Sequence, residues 1–178
     1  MGTTRLVSRR RQDSGAKWAR IAMAVLATAG LIDTGSITLK RWGLLGNLTC
    51  PMGADGCDKV LNSAWGTVFA GIPLSLVGVL AYGAVLLMAL LPLLPGLQEN
   101  KGDLSRRTWW GLFTVSLGMA VFSGVLLGVM LLKIQAFCFF CVLSAALSLA
   151  LFVLSIVGGG WDDFGQLLFR GVLLALAV

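Results

Sequence analysis

Four long apolar stretches dominate this chain and leave few folds open to it. They run over residues 18–39, 68–94, 109–132 and 137–157. A hydrocarbon core about 30 Å thick is crossed by roughly 20 helical residues at about 1.5 Å rise each. Inside lipid, every backbone N–H and C=O must find its partner within the protein, so stretches of this length and character are helices. Composition agrees. Of 178 residues, 57% are hydrophobic and 12% charged, whereas a soluble domain carries about 25% charged residues. Mean hydropathy is +0.89. A water-soluble enzyme, a disordered tail and a coiled coil do not fit these values.

The expected fold is an all-α membrane protein. It is a four-transmembrane-helix bundle with an outer-face loop, a short amphipathic helix and a partial fifth helix. Residues 1–17 read as a basic cytoplasmic arm without regular structure, carrying Arg5, Arg9, Arg10, Arg11 and Lys17. Residues 18–157 form the membrane domain. The first span is interrupted by Asp33 and closed by Lys40-Arg41. The second contains Pro73 and ends at Pro92 and Pro95. Trp109-Trp110 open the third at the membrane interface, and Gly158-Gly159-Gly160 stop the fourth. Residues 158–178 read as the start of a fifth span of a longer protein, or as a segment lying at the interface.

Orientation follows from the distribution of Lys and Arg, which favour the cytoplasmic side. Besides the arm, Lys101, Arg106 and Arg107 lie close together between the second and third spans. The first loop holds Lys40, Arg41 and Lys59 over a longer stretch, and the last loop only Lys133. The N-terminus and second loop are therefore expected in the cytoplasm. The four cysteines then lie on the opposite face, where disulfides persist. Net charge is +6, but its concentration beside a span points to topology and anionic lipid rather than nucleic acid. The chain has no histidine, which removes histidine acid–base chemistry and histidine metal ligands.

The cysteines form two close pairs. Cys50 and Cys57 bracket Pro51-Met52-Gly53-Ala54-Asp55-Gly56, an irregular stretch that can close a small disulfide and can also swing. Asp58 reads as a helix N-cap, followed by Val60, Leu61, Ala64, Trp65 and Val68 at the spacing of a surface amphipathic helix. A disulfide stapling an exposed loop and an exchanging pair are both open for Cys50 and Cys57. The second pair is the CxxC Cys138-Phe139-Phe140-Cys141, at the outer end of the fourth span. Positions i and i+3 share a helix face, and a helix N-terminus favours a thiolate. Cys138, in the first turn, is then the more acidic thiol. Cys141 lies about 4.5 Å further along the axis, toward the lipid-accessible interior. Simple packing is the alternative for this pair. A structural zinc on four thiolates is a further alternative, disfavoured because one pair is sunk in a membrane helix.

Two pairs on one membrane face suggest a relay, because thiol–disulfide exchange passes electrons through mixed disulfides. A membrane quinone takes two electrons and two protons, matching the oxidation of two thiols to a disulfide. There is no GxGxxG after a strand to hold a nucleotide. Against this stands a non-enzymatic reading, a small membrane scaffold with two structural disulfides.

Cys50, the run Gly56-Cys57-Asp58-Lys59-Val60-Leu61-Asn62-Ser63, then Gly71-Ile72-Pro73-Leu74-Ser75, then Cys138-Phe139-Phe140-Cys141 with Ser144 together resemble the vitamin K epoxide reductase family in its bacterial form. The likeness covers roughly residues 20–157. It implies a four-helix bundle around a quinone pocket in a bacterial inner or thylakoid membrane. By that resemblance Cys141 meets the quinone, Cys138 exchanges with Cys57, and Cys50 takes electrons from a thioredoxin-like protein or fused domain. It also implies that Asn62 hydrogen-bonds a quinone oxygen. The quinone would be a ubiquinone, menaquinone, phylloquinone or plastoquinone. Ala145 stands where vertebrate members carry a tyrosine, so the resemblance favours quinone reduction over epoxide reduction.

Other residues carry weaker signals. Asp33 is an acid within a span and thus a functional candidate, although water or Lys40 at the interface would also account for it. Gly124 and Gly128 form a GxxxG expected to pack helix on helix. Ser75, Ser116, Ser123 and Ser144 are expected to hydrogen-bond their own helix or a neighbour. Trp65 and Phe69 suit either a pocket wall or an interface anchor. Phe139 and Phe140 suit either a shield for the sulfurs or a lipid face.

Overall fold

The computed structural model describes residues 3–44, 57, 59–60, 67–68, 72–94, 101–135, 137–159 and 171. Four long helices carry the fold: α1 (Thr3–Arg41), α2 (Leu74–Leu90), α3 (Lys101–Val129) and α4 (Phe139–Gly158). Each contains a segment long and apolar enough to cross a membrane, namely Lys17–Arg41, Leu74–Leu93, Asp103–Lys133 and Phe139–Gly158. The protein is a multi-pass helical membrane protein, as its apolar stretches require.

Three boundaries differ from the sequence expectation. The basic arm is helical from Thr3 and runs unbroken into the first span. No proline interrupts it, and Arg, Lys and Ala are strong helix formers. The second span starts at Leu74 rather than residue 68, because Thr67–Val68 pairs antiparallel with Ile72–Pro73 in a short ladder. Pro73, at φ −64° and ψ 134°, is the N-cap of α2, which suits a residue with fixed φ and no N–H to donate. Val68, expected to end an amphipathic helix, is therefore a strand residue. Lys59 and Val60 are helical, and residues 61–66 lie outside the described set. Third, α3 continues past Val129 into a π-helical turn, Met130–Ile134, and stops at Gln135 with φ 51° and ψ 37°. Of the tail, only Gly171 is described. A β-carbon there would lie 3.4 Å from the Phe113 ring.

The helices pack in a ring, with α1 against α2 and α4, and α3 against α2 and α4. Neighbours run antiparallel, because the start of α1 meets the ends of α2 and α4. Arg20 reaches the Met88 carbonyl, and Ala19 abuts Gly158. Met23, Ala27, Tyr82, Val85, Leu112 and Leu151 fill the centre. Leu80, Leu87, Val125, Leu149 and Val157 face outward, as a lipid-facing surface requires.

Small and polar residues draw the helices together. Ser116 Oγ lies 3.2 Å from Ser155 Oγ, and Ser148 Oγ 3.1 Å from Ser123 Oγ, both between α3 and α4. Each buried serine also bonds a carbonyl of its own helix, so no hydroxyl is stranded in lipid. The GxxxG does not make this contact. A β-carbon at Gly124 or Gly128 would meet nothing within 4 Å, so the serine pairs bring α3 to α4 instead. Close approach does require glycine elsewhere, most tightly at Gly30 and Gly158. A β-carbon on Gly30 would overlap the Tyr82 ring, and one on Gly158 would overlap Ala19 and Trp109.

Arg20 fastens one end of the bundle. Its guanidinium donates to the Met88 carbonyl of α2 at 3.2 Å. It also donates to the Ser105 carbonyl, Ser105 Oγ and Thr108 Oγ1 of α3, at 3.1, 3.2 and 3.0 Å. The same group stacks 4.5 Å above the Trp109 ring, a cation–π contact. One side chain thereby ties three helices.

Candidate active site

The opposite end of the bundle holds the sulfurs. The π turn and the left-handed Gln135 end α3 abruptly, so that only a short link separates it from α4. A non-glycine residue in the left-handed region is uncommon, and π turns recur at functional sites. Neither Gly nor Pro marks this turn, so nothing in the residue pattern announces it. The turn brings Met130 against Cys138 and Cys57 in one buried cluster, with Val60, Leu127, Phe140 and Cys141 packed around it.

Cys138 is the N-cap of α4, with extended φ −115° and ψ 111°, one residue before the first turn expected for it. The Val142 N–H donates to its carbonyl at 3.2 Å. Cys138 is fully buried. The Cys141 thiol donates to Cys138 Sγ at 2.8 Å, so the i, i+3 spacing does bring both sulfurs to one side. Outside the span, at its mouth, Cys138 is lowered from 9.0 to about 7. The Cys141 thiol is the main cause, joined by the N–H groups of Cys141 and Phe140 and opposed by burial. This favours the thiolate of Cys138, the form that exchanges with a disulfide. Cys138 and Cys141 are free thiols, whereas Cys57 is disulfide-bonded. Cys50 and Asn62 lie outside the described residues.

Beside this cluster, within the span region, a cavity of about 660 Å³ opens between the helices. Binding sites for small organic molecules are of this size and predominantly apolar, with a few placed polar groups. Its walls include Ile37, Leu74, Val115, Met119, Phe122 and Leu126. The polar contributions come from Asp33, Ser75, Tyr82, Ser123, Ser144 and Cys141, with Lys40 and Arg41 at the rim side of α1. Cys141 lines the cavity; Cys138 and Cys57 do not. Phe140 lines it and also packs on the sulfur cluster. The tyrosine, absent from the sequence reading, donates from its OH to the Ser144 carbonyl at 2.9 Å and lies 3.1 Å from Ser144 Oγ. Ser75 Oγ accepts from Thr38 at 2.9 Å. Tyr82 is the one tyrosine of the chain, and the Gly30 that makes room for its ring lies far from it in sequence.

Asp33 is the exception on these walls. It is 7% exposed, and neither carboxylate oxygen has a hydrogen-bond partner. Lys40 makes no hydrogen bond to this carboxylate.

The same segments carry the match to known proteins. Thiol-disulfide oxidoreductase LTO1 of Arabidopsis thaliana is 31% identical over 156 residues, covering 83% of this chain and 39% of that protein. The chain thus spans well under half the length of this relative. The sequence profile of the vitamin K epoxide reductase family matches residues 21–156, a stretch holding Asp33, all four cysteines and the greater part of the four-helix bundle. This protein belongs to the vitamin K epoxide reductase family.

Proposed function

We propose that this protein is a membrane thiol oxidoreductase that generates disulfides for exported proteins and hands the electrons to a quinone. One observation carries the reading. Of two free thiols 2.8 Å apart, Cys141 opens onto an apolar cavity, and Cys138 faces the cluster holding the disulfide-bonded Cys57. A dithiol with one sulfur toward an apolar cavity and one toward a disulfide suits a junction between water-borne and lipid-borne redox partners. The relative's name, a thiol-disulfide oxidoreductase, supports the thiol half of this reading.

Electrons enter from a thioredoxin-like protein or domain at Cys50 and Cys57. The Cys57 thiolate attacks Cys138 of an oxidised Cys138–Cys141 pair, releasing Cys141, and Cys50 then closes on Cys57, releasing Cys138. The loop pair is thereby re-oxidised to a disulfide and the CxxC is left as two thiols. A quinone supplies a two-electron, two-proton acceptor for the reduced CxxC. The cavity fits such a group, being apolar, about 660 Å³, and furnished with few polar atoms. Asn62 is assigned to hydrogen-bond one quinone oxygen, which its amide can do. The protein sits in a bacterial inner or thylakoid membrane with its N-terminus in the cytoplasm. The cysteines then face the periplasm or lumen.

The test supplies the purified protein with a reduced dithiol and a short-chain ubiquinone and follows quinone absorbance. Wild type reduces the quinone. Cys141→Ala loses that activity by at least about a thousandfold and accumulates a Cys57–Cys138 mixed disulfide. Quinone reduction that survives Cys141→Ala would sink the relay.

A further inference from the structure

The cavity holds one group that the relay leaves without a task. Asp33 is more than nine-tenths buried, has no hydrogen-bond partner on either oxygen, and lines the same cavity as Cys141. An isolated buried carboxyl is expensive in lipid, and native structures rarely leave polar atoms unsatisfied without cause. Its neighbours on α1 did not evade the problem. Thr34 bonds the Gly30 carbonyl at 2.7 Å, and Thr38 bonds Thr34 and Ser75. Asp33 is also close enough to interact electrostatically with Tyr82, Cys138 and Cys141.

Resting on the proposed quinone chemistry, we infer that Asp33 is the proton-transfer residue of the cavity, delivering a proton to an oxygen of the bound quinone while Cys138 and Cys141 deliver the electrons. A free carboxyl on the wall is a donor when protonated and an acceptor when not, and it has no competing partner to displace. Cys141 serves the α4 side of the cavity. Asp33, on α1, serves a different side, as a ring with two separated oxygens demands. The balance closes within the site. Two S–H bonds break, and one S–S bond forms between Cys138 and Cys141. The two electrons and two protons released make two O–H bonds on the acceptor. One of these protons passes through Asp33, whose carboxyl is restored by a proton from the dithiol. The other titratable or charged groups facing the cavity are Lys40 and Arg41 from α1, Tyr82 from α2 and Cys141 from α4; α3 contributes none among the described residues.

The experiment compares wild type, Asp33→Asn and Asp33→Glu in detergent micelles, with a reduced dithiol and a short-chain ubiquinone. For Asp33→Asn, kcat is expected to fall about a hundredfold, the lower end of general acid–base contributions. The KM for quinone stays within about threefold, and the pH profile of kcat loses one limb. Asp33→Glu recovers most of the rate. Infrared difference spectra on adding the quinone give a second readout. A carboxyl C=O band changes in wild type, shifts in Asp33→Glu and vanishes in Asp33→Asn. Thiol exchange at the other sulfur, read as the Cys57–Cys138 mixed disulfide in a Cys141→Ala background, still occurs in Asp33→Asn and reports that the variant is folded. If Asp33→Asn reduces quinone within about twofold of wild type with an unchanged pH profile, or if no carboxyl band responds to quinone, the inference is overturned. If wild type itself does not reduce the quinone, the proposed function fails first. Should Asp33→Asn not fold, an unshifted band in Asp33→Glu overturns the inference instead.

Discussion

Arg20 and Asp33 lie on one helix, both almost wholly buried, at 3% and 7% exposure. They sit about 20 Å apart along the axis at roughly 1.5 Å per residue. The arginine makes four hydrogen bonds and a cation–π contact to α2 and α3. The aspartate makes no hydrogen bond through its carboxylate. Burial of a charged side chain therefore has two meanings in this protein. At the Arg20 end the guanidinium is spent on holding helices together. At the sulfur end a donor-acceptor group is kept unspent beside a cavity. Satisfaction of the polar atoms, rather than depth, separates a fastening from a reactive group.

That contrast can be broken by mutation. The largest stability effect is expected for Arg20→Leu. Hydrogen bonds between membrane helices average about 0.6 kcal/mol each, and those to charged groups run higher. A loss of about 3 kcal/mol in unfolding from micelles is expected, with the quinone KM unchanged. Asp33→Asn should move the same unfolding curve by less than about 1 kcal/mol. If Asp33→Asn proves the more destabilising of the two, the distinction collapses. Gly30→Ala comes next, at about 2 kcal/mol, because its β-carbon overlaps the Tyr82 ring and overpacking costs roughly 1–3 kcal/mol. Thermal unfolding of Gly30→Ala alone and with Tyr82→Leu checks this; the double variant should recover part of the loss if the ring is the cause. The smallest effect belongs to Tyr82→Phe, about 0.6 kcal/mol for one interhelical hydrogen bond in lipid. A cost as large as that of Arg20→Leu would place a second fastening at the sulfur end.

The spans were legible because length and hydropathy act through lipid, a solvent with one demand on the backbone. Cys138 and Cys141 were legible as a pair because a three-residue step returns to the same helix face. What escaped depends on contacts between distant residues. Gly30 and Tyr82 are unremarkable apart and complementary together. The GxxxG of Gly124 and Gly128 matches a packing motif, yet nothing approaches it closely, because serine pairs elsewhere on α3 set the contact with α4. Asp33 was visible as an intramembrane acid, but only the three-dimensional arrangement shows that no neighbour hydrogen-bonds it. The π turn had no punctuation in sequence, since it is a change of hydrogen-bond register within an apolar run. Arg20 continues the charge of the basic arm beside it, yet it is buried between helices.

Helix α4 is 20 residues long, about 30 Å at 1.5 Å per residue, which equals the hydrocarbon thickness of a typical bilayer. Both of its ends are held, Cys138 among Cys57 and Met130, and Gly158 against Ala19 and Trp109. It has no spare turn with which to tilt or slide. Cys141 sits about 4.5 Å below the N-cap along that rod. A bilayer a few ångströms thinner brings the headgroup layer down to this sulfur, and a thicker one sinks it further into oil. Membrane thickness is thus expected to change the polarity around Cys141, which makes lipid composition a variable that no residue of the chain encodes.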